Sequence, residues 1–264
     1  MSHELRKKLI LQMLGKNEEV SVKEIVGKCK ISEITARRDL ISLEQKGMIK
    51  RTHGGAILTS GLPELFGFDN RALENRSEKI EICKTAASFI QENDTIYMDC
   101  GTTVFFLTRF ITRFNNLRVI TNSLPVVSEL MPYPQIKIYL IGGELDNKRK
   151  ALYGQMTENL IARYKADKAF IGAGGVSLEH GLSSVDEKEA SITIKMAQAA
   201  KKVYLLCDSS KMENDSYFTY SSLSLLTYFI TDKSMNRELI KIYKNKGINI
   251  ITEPIKELQD SIKS

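Results

Sequence analysis

From Asp94 to Ile251 the chain repeats one pattern: a short apolar run, a polar turn, and in most cases a helical stretch. The apolar runs are Thr95–Met98, Arg118–Thr121, Ile136–Ile141, Lys168–Ile171, Val203–Cys207, Tyr228–Thr231 and Ile248–Ile251. Strands alternating with helices predict an α/β domain with a mainly parallel sheet. In such sheets ligands bind beyond the carboxyl ends of the strands. That edge is where function is sought first.

The turns at those ends are small, polar and rich in glycine. Asp99-Cys100-Gly101-Thr102-Thr103 follows the first run and opens a helix. Successive N–H groups at a helix start, with two hydroxyls beside them, suit a phosphate. Thr121-Asn122-Ser123 follows the second run and Gly142-Gly143-Glu144 the third. Gly172-Ala173-Gly174-Gly175 follows the fourth, and Asp208-Ser209-Ser210-Lys211 the fifth. One glycine after a strand is usually turn geometry alone. Five polar turns converging on one sheet edge point to a ligand pocket. The candidate effector-binding residues are therefore Asp99, Gly101, Thr102, Thr103, Thr121, Asn122, Ser123, Gly142, Gly143, Glu144, Gly174 and Lys211.

The first sixty residues read differently. Leu5, Leu9, Ile10, Met13 and Leu14 recur at helical spacing, and Gly15 is expected to stop that helix. Ser21-Val22-Lys23-Glu24 has the form of a capping box, with a short helix to about Lys28. Only Cys29-Lys30-Ile31 separates it from Ser32, the next N-cap. In the helix that follows, Glu33 favours the positive end of the helix dipole, and Ala36, Leu40 and Leu43 form an apolar face. Gly47 is the expected left-handed cap. Two helices joined by so short a turn are a helix-turn-helix. A hairpin comes next: Met48–Thr52 and Ala56–Thr59 flank His53-Gly54-Gly55. It makes the motif winged. The candidate DNA-binding residues are Ser32, Thr35, Arg37 and Arg38 early in the second helix, with Lys50, Arg51 and His53 on the wing.

Charge supports that reading. The chain carries +6 overall, and residues 1–59 hold 12 Lys+Arg against 7 Asp+Glu. Most of the positive excess thus lies in the first fifth of the 264 residues, as a phosphate-backbone partner requires. The four cysteines form no C-x-x-C pair, and the three histidines are scattered. No metal site, cofactor or Ser/His/Asp constellation is expected. No run of 18 apolar residues exists, and no hydrophobic signal region follows Met1, so a cytoplasmic protein off the membrane is expected.

Residues 5–59 resemble the N-terminal domain of DeoR-type bacterial transcriptional regulators. The resemblance is carried by Ser21–Ile25, by Ile31-Ser32-Glu33-Ile34-Thr35-Ala36-Arg37-Arg38-Asp39-Leu40, by Leu43–Gly47, and above all by Arg51-Thr52-His53-Gly54-Gly55-Ala56. It continues through Asp99–Thr103, Thr121–Ser123, Gly142-Gly143, Phe170–Gly172, Gly181-Leu182, Glu189-Ala190 and Asp208–Lys211, and so spans nearly the whole chain. It implies a second domain similar in fold to ribose-5-phosphate isomerase and the CoA transferases, with phosphorylated sugars or related intermediates as effectors. Where that isomerase has a catalytic lysine ahead of its glycine run, this chain has Ile171, and general acid/base work needs a titratable group.

The expectation is a two-domain regulator: a DNA-binding winged head over 1–59, a linker over 60–75 with little periodicity, and an α/β sensor over 76–264. It should repress a carbohydrate-use operon and answer to a phosphorylated sugar. One small head makes few base contacts, so operator specificity calls for a homo-oligomer, a dimer or tetramer. The rival is a sugar-phosphate isomerase or transferase fused to a DNA-binding head. Asp99, Asp186, Glu187 and Glu189 keep that rival open, because carboxylates near a phosphate can do chemistry.

Overall fold

A computed structural model describes residues 3–16, 19–45, 49–52, 54–58 and 67–254. The chain divides into two compact units, Met1–Arg71 and Ala72–Ser264.

The first unit contains α1 (His3–Lys16), β1 (Glu19–Ser21), α2 (Val22–Cys29), α3 (Glu33–Gln45), β2 (Ile49–Arg51) and β3 (Gly55–Leu58). The strands pair antiparallel in the order β1-β3-β2. The capping box forms as expected: Glu24 N–H donates to Ser21 Oγ at 3.3 Å, and Ser21 N–H donates to Glu24 Oε2 at 2.7 Å. These bonds hold the Glu24 carboxyl below its ordinary pKa. Lys30, at φ 52°, turns the chain from α2 toward α3. Ser32 then caps α3 by accepting the Thr35 N–H at 3.3 Å. Ile10, Ile25, Ala36, Leu40, Leu43 and Ile49 form the core under these helices. Two details differ from the sequence reading. α1 runs through Gly15 to Lys16, since a helical glycine costs about 1 kcal/mol without forbidding the turn. β1 was not foreseen, because it shares its last residue with the capping box. Gly47 and His53 lie outside the described residues.

The second unit begins within α4 (Phe68–Leu73) and continues with α5 (Arg76–Ala86). The spacing of Ile80, Cys83, Ala86, Ala87 and Ile90 predicts one helix from about Arg71 to Gln91. Asn75, at φ 46° in the left-handed region, separates α4 from α5, and a 3₁₀ turn over Ala87–Phe89 ends the second piece. There follow β4 (Thr95–Met98), α6 (Thr102–Phe105), α7 (Thr108–Ile111), β5 (Arg118–Thr121), α8 (Leu124–Leu130), β6 (Lys137–Leu140), β7 (Glu144–Asp146), β8 (Ala151–Tyr153) and α9 (Gln155–Ile161). The remainder is β9 (Ala166–Ile171), β10 (Gly175–Ser177), β11 (Gly181–Ser184), α10 (Glu187–Gln198), β12 (Ala200–Leu206), β13 (Phe218–Ser221), β14 (Tyr228–Ile230), α11 (Arg237–Asn245) and β15 (Ile250–Ile251).

All seven anticipated strands join one sheet, in the order β15-β14-β12-β9-β4-β5-β6, and every pairing is parallel. Alternate residues feed two cores on opposite faces. Tyr97, Ala169, Ile171, Val203 and Leu205 meet Ile161 of α9, Ile192 and Met196 of α10, and Tyr243 of α11. Ile96, Met98, Phe170, Tyr204 and Leu206 meet Ile82 and Cys83 of α5, Val104 of α6 and Val126 of α8. Phe170 stacks on Tyr204 with centroids 5.1 Å apart. A β7–β8 hairpin and a β10-β11-β13 sheet sit beside the main sheet, and neither was read from the sequence.

The phase of α3 is testable because Leu40 is 1% and Ile41 39% exposed. Leu40→Ala should lower the stability of a 1–71 fragment by about 2–5 kcal/mol. Ile41→Ala should change it by less than about 0.5 kcal/mol. Urea unfolding followed by circular dichroism measures both, and equal losses would contradict this helix phase.

Candidate functional site

In the first unit the outward face of α3 is basic. Arg37 is exposed and loosely paired with Glu33 at 3.9 Å, one helical turn away. Arg38 and Lys50 are exposed and have no side-chain partner among the described residues. Arg51 pairs with Glu44 at 2.7 Å, and its N–H also donates to Glu44 Oε1 at 3.0 Å, which ties β2 to α3. Ser32 and Thr35 hydroxyls meet at 2.9 Å at the start of α3. Behind this face, buried Asp39 holds Arg6 at 2.8 Å. Thr35, Arg37 and Arg38 therefore share one helix, whereas Ser32 caps it and Arg51 braces the wing.

In the second unit the strand order reverses between β4 and β9: β5 and β6 lie on one side of β4, while β9, β12, β14 and β15 lie on the other. Ligands of open α/β sheets bind at such a reversal, beyond the carboxyl ends. The loops leaving β4 and β9 meet there through one side chain. Asp99, 3% exposed, accepts the Gly101 N–H on Oδ1 at 2.7 Å and the Gly172 N–H on Oδ2 at 2.6 Å. The Gly101 amide is thus taken by a carboxylate. A Cβ on Gly101 would stand 2.9 Å from Asp99 Oδ1, so a side chain there would press on the acid.

Thr102 and Thr103 begin the next helix, and buried Lys79 of α5 donates to Thr102 Oγ1 at 3.2 Å. The loop after β12 is tied to the same helix: Asn75 Nδ2 donates to Asp208 Oδ1 at 2.9 Å and to Ser210 Oγ at 3.0 Å. Lys79 and Lys211 both act on the Cys207 thiol, whose pKa burial nonetheless pushes up. The structure so brings Asp99, Gly101, Thr102, Thr103 and Lys211 to one region.

The other expected residues go elsewhere. Thr121, Asn122 and Ser123 have no exposed surface. They pack against the β7–β8 hairpin, where Asn122 Nδ2 donates to Leu152 O at 2.9 Å and Leu124 N–H donates to Lys150 O at 2.9 Å. Asn122 Oδ1 is buried without a hydrogen-bond partner among the described residues. Gly143 abuts α9, where a Cβ would fall 2.0 Å from Thr157 Oγ1. Glu144 is exposed on the hairpin, 3.9 Å from Lys188. Gly174 donates to Ser183 O at 2.7 Å inside the small antiparallel sheet.

Several groups lie near the Asp99 loop, and of these Glu189 was named from the sequence as one of the acids that keep an enzyme open. Cys100 Sγ lies 3.0 Å from Tyr153 Oη, and burial pushes both groups well up, so both stay protonated. A protonated thiol is a poor nucleophile. Arg149 and Glu189 form a close, mostly buried ion pair, and Ser184 Oγ donates to Glu189 at 3.2 Å. Tyr220 Oη donates to Gly172 O at 3.1 Å. Lys79 also left a signal in sequence: it shares the helical stripe of Ile82, Cys83 and Ala86, where a lysine is out of place.

The family model of the DeoR-like helix-turn-helix domain matches residues 6–61, and that of the DeoR C terminal sensor domain matches residues 74–233. The chain belongs to the DeoR family of transcriptional regulators. Among DeoR-type relatives, the HTH-type transcriptional repressor GlcR of Bacillus subtilis is 33% identical over 98% of this chain and 100% of its own. The lactose phosphotransferase system repressor of Staphylococcus epidermidis is 32% identical over 85% of this chain and 90% of its own. Among solved structures, ribose 5-phosphate isomerase A of Methanocaldococcus jannaschii aligns with 53% of this chain and 55% of its own, at 19% identity and a TM-score of 0.37, too distant a likeness to build on. The DeoR-family relatives are regulators and repressors, which favours regulation over the enzyme reading. Ile171 is fully buried at the end of β9.

The Asp99 lock generates a prediction. Gly101→Ala should lower the stability of the full chain by about 1–3 kcal/mol. In an Asp99→Ala background it should cost little more, because the clash and the lock are one interaction. A double-mutant cycle by urea denaturation decides, and additive losses would show that Gly101 and Asp99 are not coupled.

Proposed function

We propose that this regulator represses a carbohydrate-use operon and is relieved by a phosphorylated sugar bound at the reversal of the sensor sheet. The observation that carries the proposal is the convergence at the Asp99 loop: the Thr102 hydroxyl bonded by buried Lys79, Thr103 next to it, and Lys211 on the loop after β12. Two lysines and two hydroxyls with neutral Cys100 and Tyr153 nearby favour an anion attached to a hydroxylated body. The relatives named as repressors, one of them for a lactose phosphotransferase system, support the same direction. Residues 1–59 serve as the DNA head, 60–75 as linker and 76–264 as sensor. Ser32, Thr35, Arg37, Arg38, Lys50, Arg51 and His53 are the proposed DNA contacts. Asp99, Gly101, Thr102, Thr103 and Lys211 are the proposed effector shell, to which Lys79 is added. The protein works in the cytoplasm as a homo-oligomer.

Thermal shift with a panel of sugar phosphates and their parent sugars tests the effector. A ligand at 100 times its Kd adds about 2.7 kcal/mol, enough to raise the melting temperature visibly. A phosphorylated member should do so and its parent sugar should not. Lys79→Met and Lys211→Ala should each remove the shift while DNA binding persists. Equal shifts for sugar and ester would refute an anion site.

The oligomer is tested by footprinting the full-length protein on its operator. Two half-sites should appear about one helical turn apart, or a multiple of it. A single half-site protected by a monomer would exclude the proposed assembly.

A further inference from the structure

The outward face of α3 carries an apolar stripe that no DNA-contact candidate accounts for. Ile34 is 69% exposed and Ile41 39%. At about 100° per residue, Leu43 lies about 180° around the helix from Ile34, and Ala36 and Leu40 lie within about 60° of Leu43. Ile34 therefore stands opposite the buried stripe of Ala36, Leu40 and Leu43, at the centre of the solvent side. Ile41 is two turns further along the same line. Arg37 and Arg38 flank it, and Arg38 has no side-chain partner among the described residues.

A lone exposed isoleucine is ordinary on a protein surface. Here the isoleucine occupies the middle of a cationic face on the second helix of a helix-turn-helix. The charges fit the phosphate walls of a major groove, and the centre of the face meets its floor. An isoleucine pressed against base donors or acceptors would leave them unpaired. The major groove offers one apolar target, the 5-methyl group of thymine. A protein partner would instead call for a broad contiguous apolar patch.

We infer that Ile34 contacts a thymine methyl group and so selects the base at one position of each half-site. Arg37 and Arg38 fix the helix against phosphates and guanine on either side. The occupant is double-stranded DNA carrying thymine at a fixed place.

The test starts by selecting a duplex from a randomised library with the full-length protein. Each thymine of the selected site is then replaced by uracil, which lacks only the methyl group. One uracil position should weaken binding by about fourfold, the worth of one buried methyl. Ile34→Ala should bind the thymine duplex more weakly by at least that factor and lose the thymine-over-uracil preference. Arg38→Ala should bind more weakly yet keep that preference. Circular dichroism should be unchanged for Ile34→Ala, since the side chain is exposed. The inference is overturned if uracil is neutral at every position, or if Ile34→Ala retains the preference. Unchanged DNA affinity in Ile34→Ala would also overturn it and give this face to a protein partner.

Discussion

One carboxylate organises the edge of the sensor sheet where the strand order reverses. Asp99 is 3% exposed, so its charge must be answered by donors held in place. It finds two backbone N–H groups, Gly101 at 2.7 Å and Gly172 at 2.6 Å, on the loops of two adjacent strands. Charge-assisted bonds of this kind are the strong ones. They join the loops where the strand order turns back on itself. With the first loop so bound, Thr102 comes over Lys79. Through Asn75, α5 also receives the loop that carries Lys211. Removing the carboxylate would leave two amides without acceptors and release both loops together.

The sheet beneath was legible because its strands are buried on both sides. Phe170 faces one core and Ile171 the other, as do Tyr204 and Leu205, so the strands read as continuous apolar runs. The small strands were not legible for the opposite reason. Gly181–Ser184 has no apolar alternation and becomes a strand only by pairing with β10 and β13. Asn75 is another tertiary decision, a left-handed residue that breaks a helix its neighbours would have continued. In the head the local signals were reliable, since the capping box and the Ser32 cap need only residues three positions away.

The site was half legible. Polarity at a strand end is visible in sequence, but the side it faces is not. Thr121, Asn122 and Ser123 have the composition of a binding turn, yet the β7–β8 hairpin covers them. Conversely Arg149 and Tyr220 come from distant segments, and only the fold brings them to Glu189, Gly172 and Cys100.

What the acids do separates recognition from turnover. General base catalysis needs a carboxylate within reach of the reacting atom and not committed elsewhere. Asp99 is committed to two amides, and Asp186 caps α10 by accepting the Glu189 N–H at 3.0 Å. Glu189 is paired with Arg149 and bonded by Ser184. Cys100 is held as a thiol and Tyr153 as a phenol by burial. Beside these acids stand Lys79, which donates to Thr102, and Lys211 on the loop after β12. Such a set can bind an anionic sugar and release it unchanged. A sensor needs that reversibility, because a ligand shifts a regulator's equilibrium only by its difference in affinity for the two states.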